Sequence, residues 1–320
     1  MRSDHQESPL DVLVTAPMPL EATGSSHSRL KLHRLWEMSE ADISAVGDSV
    51  RGVATIAHYG RLDAGFMNRF PKLEIISSFG VRYDNAVDVA EARRRGLVVT
   101  NTPDLMNDEV ADFIVGLLIA TVRRFGDAER FVRRGDWASG AYPLTSSLRG
   151  RKIGIAGLGK IGARVARRLS GFDLDISYFA RRERNDVPYR FFDDLAEMAR
   201  HTDVLILCLP GNADTKHIVT REVLASLGKE GVVINAARGS LVSDELLAAV
   251  LRDGTISAAG LDVFENEPCI PAALLESERA LLLPHIASAS EFTRKAMGQL
   301  VLDNLGSYLA GHGALTPVPN

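Results

Sequence analysis

Short apolar runs rich in β-branched residues alternate along the chain with stretches of helical period. This alternation is typical of α/β proteins with parallel sheets. In the first part of the chain it predicts strands at residues 12–16, 53–57, 73–78 and 97–100, and helices at 39–46, 63–69 and 88–95. Asn101-Thr102-Pro103 then ends the pattern. A single long helix is predicted from about Asp108 to Phe131, followed by a loop of turn-forming and aromatic residues up to Gly150.

After Gly150 the alternation resumes more regularly. It predicts strands at residues 152–156, 175–179, 204–209, 231–235, 257–260 and 280–283, and helices at 161–169, 193–199, 221–227 and 244–252. Six strands separated by helices predict a doubly wound parallel sheet. No strand is predicted beyond residue 285, and residues 291–309 predict one closing helix. The expected fold class is therefore α/β, with two Rossmann-like parts.

Composition narrows the class of protein. A chain of 320 residues is about twice the usual domain length, so two domains are expected. The net charge of -4 gives no reason to expect nucleic acid or an anionic membrane as a partner.

The two cysteines, Cys208 and Cys269, form no metal-spaced group, which favours a reducing compartment and no metal site. Residues 1–8 are polar and resemble no signal peptide, and the longest apolar stretch is too short to span a bilayer, so a cytoplasmic enzyme is expected.

A glycine-rich turn is the first candidate for chemistry. The predicted strand at 152–156 leads directly into Gly157-Leu158-Gly159-Lys160-Ile161-Gly162 and then into a helix. Gly157 suits the tight turn, Gly159 the approach of backbone to a pyrophosphate, and Gly162 the close packing of helix on strand. The helix N-terminus offers free N–H groups to phosphate oxygens. The whole strand–turn–helix context therefore predicts a dinucleotide site.

The end of the next strand indicates which dinucleotide is bound. A site specific for NAD would have Asp or Glu there to bind the ribose 2′-hydroxyl, whereas this chain has Ala180-Arg181-Arg182. Two guanidinium groups suit a 2′-phosphate, which an acid would repel. Two exposed loop arginines without a ligand are the plainer interpretation, and Glu183 is a nearby acid able to balance one of them. We expect NADP(H), with NAD(H) possible.

Three later segments follow predicted strands. They are residues 235–240, which include Arg238, residues 261–268, which include Asp262 and Glu267, and residues 284–288, which include His285. The carboxyl ends of parallel strands are where open α/β sheets bind ligands. Each residue alone has an ordinary structural explanation. An arginine, a glutamate and a histidine in this order after a dinucleotide turn point instead to one catalytic site.

With these motifs the sequence resembles the D-isomer-specific 2-hydroxyacid dehydrogenase family. Within it, the chain is most similar to the hydroxyphenylpyruvate, hydroxypyruvate and glyoxylate reductases. The resemblance covers nearly the whole chain, including residues 73–80, 99–104, 108–112 and 149–154. It implies NADPH-dependent reduction of a small 2-keto acid to the D-2-hydroxy acid.

The resemblance also implies roles for individual residues. Arg238 would bind the substrate carboxylate and polarise the carbonyl, and His285 would donate a proton to the carbonyl oxygen. Glu267 would orient His285 and favour its charged form, and Asp262 would meet the nicotinamide carboxamide. Further cofactor contacts are implied for Leu158, Lys160, Ile161, Ala180, Leu209, Pro210, Thr215, Ala236, Ala237, Arg238 and His285. Substrate contacts are implied for Tyr59, Gly80, Val81, Arg82, Arg238 and His285.

One position departs from the family's pattern. Relatives commonly have glycine at the position of Arg82. The Arg82 side chain therefore either points away from the substrate or adds a second cation to the pocket. The resemblance further implies a substrate domain made of residues 1–102 and 288–320, with a nucleotide domain of residues 103–287 inserted into it. It implies a homodimer as well, with Trp137 and its loop as a candidate part of the interface.

Two other functions remain open at this point. A nucleotide-sensing protein or corepressor on the same scaffold would not need Arg238, Glu267 and His285 together. A phosphoglycerate-type or phosphite dehydrogenase linked to NAD is less compatible with Arg181 and Arg182.

Overall fold

The computed structural model describes residues 9–21 and 27–319 of the chain, so the polar start of the sequence, residues 1–8, lies outside the described part. The chain divides into two compact units. One contains the residues up to Met106 together with those from Glu291 onward, and the other contains residues 107–290.

The first unit is built on a five-stranded sheet in which all strands are parallel, in the order β2-β1-β3-β4-β5. This is the flavodoxin-like order, in which the strand sequence reverses between β1 and β3. The strands are β1 Leu10–Val14, β2 Leu30–Arg34, β3 Gly52–Ile56, β4 Ile75–Phe79 and β5 Val98–Thr100. The helices of this part are α1 Glu40–Gly47, α2 Ala64–Asn68 and α3 Val89–Arg94.

The second unit is built on a seven-stranded parallel sheet in the order β12-β11-β10-β9-β6-β7-β8. Its strands are β6 Lys152–Ala156, β7 Asp175–Phe179, β8 Arg190–Phe192, β9 Val204–Leu207, β10 Val232–Asn235, β11 Ala258–Leu261 and β12 Ala280–Leu282. Its helices are α4 Asn107–Val122, α5 Phe125–Arg133, α6 Lys160–Leu169, α7 Leu195–His201, α8 Arg221–Ser226, α9 Asp244–Asp253 and α10 Ala272–Leu275. The prediction of an α/β fold with parallel sheets is confirmed.

Helices cover both faces of the first sheet, because parallel strands are buried on both sides. On one face, Leu13, Val53 and Ile76 of the strands pack with residues of α1, α2 and α3. On the other face, strand residues such as Val12 and Ile75 pack against the closing helix α11, Glu291–Leu309. Successive strand residues face opposite sides, so each sheet face acquires its own apolar core.

Two edge strands were absent from the sequence prediction. β2 is only partly buried and includes Lys31, His33 and Arg34, and β8 has three residues, of which Arg190 is exposed. An edge strand buries less apolar surface than a central one, so its sequence carries a weaker hydrophobic pattern. The second sheet therefore has seven strands rather than six.

The prediction of one long helix from Asp108 to Phe131 is wrong. The segment forms two helices, α4 and α5, that are separated at Arg124, whose φ of 53° lies in the left-handed region. The Arg124 guanidinium donates to the Asp127 carboxylate at 2.6 Å. A left-handed backbone at a residue other than glycine leaves no simple sequence signal, because local propensity disfavours it. In the described part of the chain, no helix is both long and apolar enough to cross a membrane.

Candidate active site

The residues predicted to bind the cofactor lie at the carboxyl edge of the seven-stranded sheet. Because all seven strands are parallel, the segments that follow them share one edge. The strand order reverses between β6 and β9, which is where open α/β sheets bind ligands. The predicted residues that follow successive strands here are Gly157, Ala180, Leu209, Ala236, Asp262 and His285.

The glycine-rich turn fits a dinucleotide pyrophosphate. Gly157 has a φ of 99°, and a Cβ there would lie 2.8 Å from the carbonyl oxygen of Cys208. A Cβ on Gly162 would lie 2.0 Å from the carbonyl oxygen of Gly157, so α6 approaches the turn too closely for any side chain. A Cβ on Gly159 would meet no atom within 4 Å. Two glycines thus shape the turn, and the third leaves open space where a ligand can approach the backbone.

Arg181 and Arg182 are exposed immediately beyond β7 and line a shallow surface depression. Neither guanidinium pairs with a carboxylate of the described chain, and Glu183, the acid that the sequence offered as a partner, pairs with neither of them. Two cations without local counter-charges suit an anionic ligand.

Arg184 is a neighbouring residue that the sequence interpretation missed. Its Nη1 donates to the carbonyl oxygen of Leu158 at 2.9 Å, and its Nε donates to Asp186 at 2.9 Å. Its backbone N–H donates to the Tyr178 hydroxyl at 2.7 Å. Arg184 therefore ties the loop after β7 to the glycine-rich turn. The run of three arginines within four residues was visible in the sequence, but nothing in it distinguished the role of the third.

The loop after β9 holds Pro210 and Thr215, two of the expected cofactor contacts. The Thr215 hydroxyl donates to the Pro210 carbonyl oxygen at 2.6 Å, and the Asn212 side chain accepts from the backbone N–H groups of Asp214 and Thr215. Thr215 thus shapes the loop on which it lies, and its side chain is half-buried.

Arg238 is held in an extended conformation just beyond β10. Its carbonyl oxygen accepts from the Asn235 side chain at 2.9 Å, and the same side chain accepts from the Ala237 backbone N–H at 3.1 Å. Gly239, the next residue, lies so close to the Phe264 backbone that a Cβ would be 1.9 Å from its carbonyl oxygen. The turn that carries Arg238 therefore packs directly on the segment that leads to Glu267.

His285 and Glu267 form a hydrogen-bonded pair at the same sheet edge. The distance between His285 Nδ1 and Glu267 Oε2 is 2.7 Å. The other carboxylate oxygen, Oε1, accepts from the Phe264 backbone N–H at 2.9 Å. With Nδ1 facing the carboxylate, the Nε2 atom of the half-exposed imidazole is directed away from Glu267. Glu267 is thus fixed by the backbone and in turn fixes the histidine ring.

Asp262 has no exposed surface and supports the loop that carries His285. Its two carboxylate oxygens accept from the backbone N–H groups of Ile286 and Ala287, each at 2.8 Å. Burial raises the pKa of this carboxyl group, while these two hydrogen bonds oppose the rise. His285 itself has a left-handed φ of 54°, a conformation that costs a side-chain-bearing residue about 1–2 kcal/mol. The buried carboxylate holds the two residues that follow it in place.

In the first unit, the predicted substrate residues follow the adjacent strands β3 and β4. Gly80 has a φ of 142°, and its backbone N–H donates to the Thr102 hydroxyl at 3.0 Å. The Val81 carbonyl oxygen accepts from the Asn101 side chain at 2.8 Å. Tyr59 is exposed in a short 3-10 turn after β3 and packs edge-on against Phe66. Thr102 thus positions the Gly80 backbone, a role that the sequence of the chain did not reveal.

The charge of Arg82 is balanced within its own loop. Its guanidinium donates to the two carboxylate oxygens of Asp84 at 3.3 and 3.1 Å, and this pairing lowers the pKa of Asp84. A different cation, Arg294 of α11, stacks over the ring of Phe79 at 5.6 Å from its centroid. Burial lowers the pKa of Arg294. In the described part of the chain, no group of three histidine, cysteine, aspartate or glutamate side chains is arranged to hold a metal ion.

Comparison with known proteins decides the family. Residues 115–287 match the family described as D-isomer specific 2-hydroxyacid dehydrogenase, NAD binding domain. The chain belongs to this family. The family and the fold class predicted from the sequence are therefore confirmed, and the protein is an NAD(P)-dependent oxidoreductase.

Two relatives and one solved structure are similar to this dehydrogenase over nearly their whole length. A hydroxyphenylpyruvate reductase of Plectranthus scutellarioides is 40% identical over 97% of this chain and 99% of its own. A glyoxylate/hydroxypyruvate reductase of Arabidopsis thaliana is 38% identical over the same shares. Among solved structures, an NADPH-dependent glyoxylate/hydroxypyruvate reductase from Sinorhizobium meliloti, in complex with NADP and malonate, is 44% identical with a TM-score of 0.81, covering 98% of this chain and 97% of that one.

Proposed function

We propose that this dehydrogenase uses NADPH to reduce a small 2-keto acid to the D-2-hydroxy acid. The observation that carries the proposal is the His285–Glu267 pair, at 2.7 Å, on the same sheet edge as Arg238 and the glycine-rich turn. A proton donor, a cation for a carboxylate and a dinucleotide turn are the groups that this reduction needs. The names of the relatives support glyoxylate, hydroxypyruvate and aryl pyruvates as candidate substrates.

The cofactor proposal rests on Arg181, Arg182 and the glycine-rich turn. The open space at Gly159 suits a pyrophosphate, and the two exposed guanidinium groups suit the 2′-phosphate that distinguishes NADPH from NADH. The similar reductase from Sinorhizobium meliloti is NADPH-dependent, and its structure was solved in complex with NADP. When bound, the reduced nicotinamide supplies the hydride. We also propose the other cofactor contacts expected from the sequence, except that of Asp262, whose buried carboxylate accepts from the backbone N–H groups of Ile286 and Ala287 instead.

Arg238 is proposed to bind and polarise the substrate. A guanidinium carries two parallel N–H donors that match a carboxylate and a further donor suited to a carbonyl oxygen. The positive charge then stabilises the negative charge that develops on this oxygen as hydride reaches the carbon. In the first unit, we propose that Tyr59 and the backbone of Gly80, Val81 and Arg82 contact the substrate, whereas the Arg82 guanidinium already has Asp84 as its counter-charge.

His285 is proposed as the proton donor. The imidazolium holds one proton on Nδ1, facing Glu267, and one on Nε2. The Nε2 proton passes to the carbonyl oxygen as the new C–H bond forms, which leaves a neutral imidazole and an alcohol. The carboxylate of Glu267 stabilises the charged ring before transfer and keeps its orientation afterwards.

The first experiment measures oxidation of NADPH and of NADH with glyoxylate, hydroxypyruvate, 4-hydroxyphenylpyruvate and pyruvate. We expect turnover with at least one of them, higher with NADPH, and the ranking of the substrates will report the size of the pocket. Binding of NADPH without turnover on the whole panel would favour a nucleotide-sensing protein. Turnover only with a phosphorylated hydroxy acid and NAD would favour a phosphoglycerate-type dehydrogenase.

Two substitutions test the catalytic roles. His285→Gln is expected to abolish most turnover while leaving the Kd of NADPH nearly unchanged, because only the proton donor is lost. Arg238→Met is expected to lower kcat/KM by at least about a hundredfold, which corresponds to roughly 3 kcal/mol of transition-state binding. Near-normal turnover of the histidine variant, or a loss of less than about tenfold for the arginine variant, would remove that residue from its role.

We further propose a homodimer and a cytoplasmic location. The second unit exposes large apolar side chains along α5 and the segment after it, and Leu144 is fully exposed. Burial of such a surface against a second copy would remove it from water. The two cysteines are free thiols, which suits a reducing compartment. Light scattering of the intact protein is expected to give twice the mass of one chain, and a monomer at micromolar concentration would contradict the dimer.

A further inference from the structure

A second histidine–glutamate pair lies beside the one proposed to act in catalysis. His217 Nε2 and Glu265 Oε1 are 2.6 Å apart. Glu265 and Glu267 are two residues apart on one loop. Each forms a hydrogen bond with one histidine, and the two histidines come from different parts of the chain. Neither His217 nor Glu265 has a role in the reaction as proposed above.

The His217 backbone is attached to the turn that carries Arg238. Its N–H donates to the Ser240 carbonyl oxygen at 2.8 Å, and the Val219 N–H donates to the Leu241 carbonyl oxygen at 3.1 Å. Residues 217–219 therefore run alongside the 3-10 turn of Gly239–Leu241, which begins directly after Arg238. Earlier in the same loop, a Cβ on Gly211 would lie 2.9 Å from Arg238 Cγ, so this backbone also contacts the arginine side chain itself.

Glu265 is fixed independently from the opposite side. Its backbone N–H donates to Asp244 Oδ2 at 3.0 Å, and Asp244 is buried at the start of α9. The Phe264–Glu265 peptide also lies against Gly239, where a Cβ would be 2.5 Å from the Glu265 nitrogen. The turn after Arg238 is thus enclosed between the Phe264–Glu265 segment and the 217–219 segment. The His217–Glu265 hydrogen bond joins these two segments to each other.

We propose that His217 and Glu265 are positioning residues that fix the turn carrying Arg238, and with it the direction of the guanidinium that binds the substrate carboxylate. The inference rests on the proposed function of Arg238. A single partly exposed pair of a histidine and a carboxylate contributes little to stability. A displacement of about 1 Å at a reacting group lowers the rate by about a hundredfold. A positioning pair therefore affects carboxylate binding much more than stability.

The test compares His217→Ala, Glu265→Ala, the double variant and His217→Gln with the wild type. We measure the KM and kcat for hydroxypyruvate, the Kd of malonate on the NADP-loaded protein by calorimetry, the Kd of NADPH by fluorescence, and the thermal midpoint. For each alanine variant we expect the KM and the malonate Kd to rise about tenfold, with the NADPH Kd and the thermal midpoint nearly unchanged. The double variant is expected to be no worse than the poorer single variant, because the two residues act as one unit.

His217→Gln keeps an N–H donor that reaches the carboxylate, so it is expected to recover most of the malonate affinity. Arg221→Ala is the matched control, because Arg221 forms an exposed ion pair in the same unit, with Asp253 at the end of α9, at 3.2 Å. That variant is expected to behave as the wild type.

Two results would overturn the inference. One is a malonate Kd and a KM within twofold of wild type in both alanine variants. The other is an equal weakening of NADPH, which would place the effect in the cofactor loop that carries Thr215. If the wild type reduces no keto acid but binds malonate in a manner that depends on His217, the positioning role stands and only the proposed reaction fails.

Discussion

At the scale of single residues, buried carboxylates organise the loops that carry the exposed reactive groups. Asp262 holds the N–H groups of Ile286 and Ala287, and Asp244 holds the N–H group of Glu265. Charge-assisted hydrogen bonds to backbone N–H groups are stronger than neutral ones, which offsets part of the cost of burying each charge. The loops that carry the catalytic candidates thus depend on buried residues.

Asp262→Asn tests this dependence. An amide has one acceptor oxygen, so one of the two backbone N–H groups loses its partner, at a cost of about 1–3 kcal/mol. Burial raises the pKa of Asp262, so the charge at neutral pH is itself unfavourable and its removal offsets part of this loss. We expect a net loss of roughly 1 kcal/mol in urea unfolding together with a lower kcat, since the loop of His285 moves. Unchanged kcat would show that the loop keeps its position without Asp262, and Asp193→Asn, at an exposed acid, is the control.

At the scale of elements, the central strands and the helices that cover them were the features that the sequence predicted best. β6 and β7 and the closing helix α11 have the predicted bounds, and most other central elements differ by one or two residues at an end. These elements have strong apolar patterns because they are buried on one or both faces. The edge strands β2 and β8 and the break at Arg124 depend on neighbours distant in sequence, and local pattern carries little information about them.

The loop after β7 gives a prediction about cofactor choice. Replacement of Arg181 and Arg182 by alanine is expected to weaken NADPH by at least about tenfold and NADH little, since only NADPH has the 2′-phosphate. Arg184→Ala is expected to weaken both cofactors to similar extents, because Arg184 donates to the Leu158 carbonyl oxygen of the shared turn. Titration of both nucleotides by fluorescence makes the comparison. An equal loss of NADPH and NADH in the double variant would contradict the assignment to the 2′-phosphate.

Helix α3 gives a prediction about pH. The guanidinium groups of Arg94 and Arg95 lower the pKa of Glu91 to about 2. Because the folded pKa lies below the ordinary value, the pairing stabilises the fold at neutral pH, and this contribution is lost as the pH falls from about 4.5 towards 2. Glu91→Gln is therefore expected to be less stable than wild type at pH 6, with a difference that narrows towards pH 3. Chemical unfolding across this range measures it, and a difference independent of pH would exclude the ionic origin.

At the scale of the whole molecule, the chain forms two units, each with its own buried apolar cluster. We propose that they are separate domains, with the nucleotide domain inserted into a substrate domain formed by both ends of the chain. Because each unit has its own apolar core, we expect the two units to unfold in two separate transitions.

Calorimetry tests the division. NADPH at about a hundred times its Kd is expected to stabilise the unit that binds it by roughly 2.7 kcal/mol and so to raise one transition, leaving the other nearly in place. Full-length protein with and without NADPH is the comparison, and NADH at equal saturation is the control. A single transition with equal calorimetric and van't Hoff enthalpies, shifted as a whole by NADPH, would mean that the two units unfold together.

The sequence by itself determined the class of fold, the dinucleotide turn, and Arg238, Glu267 and His285 as the candidate catalytic residues, because each follows a strand whose apolar pattern is local. The tertiary structure alone decided which groups hold these residues in place. Asp262, Asp244, His217 and Thr102 act through hydrogen bonds to residues 21 to 48 positions away in the chain. Such contacts arise only when parallel strands bring their carboxyl ends to a common edge, and no local pattern encodes them.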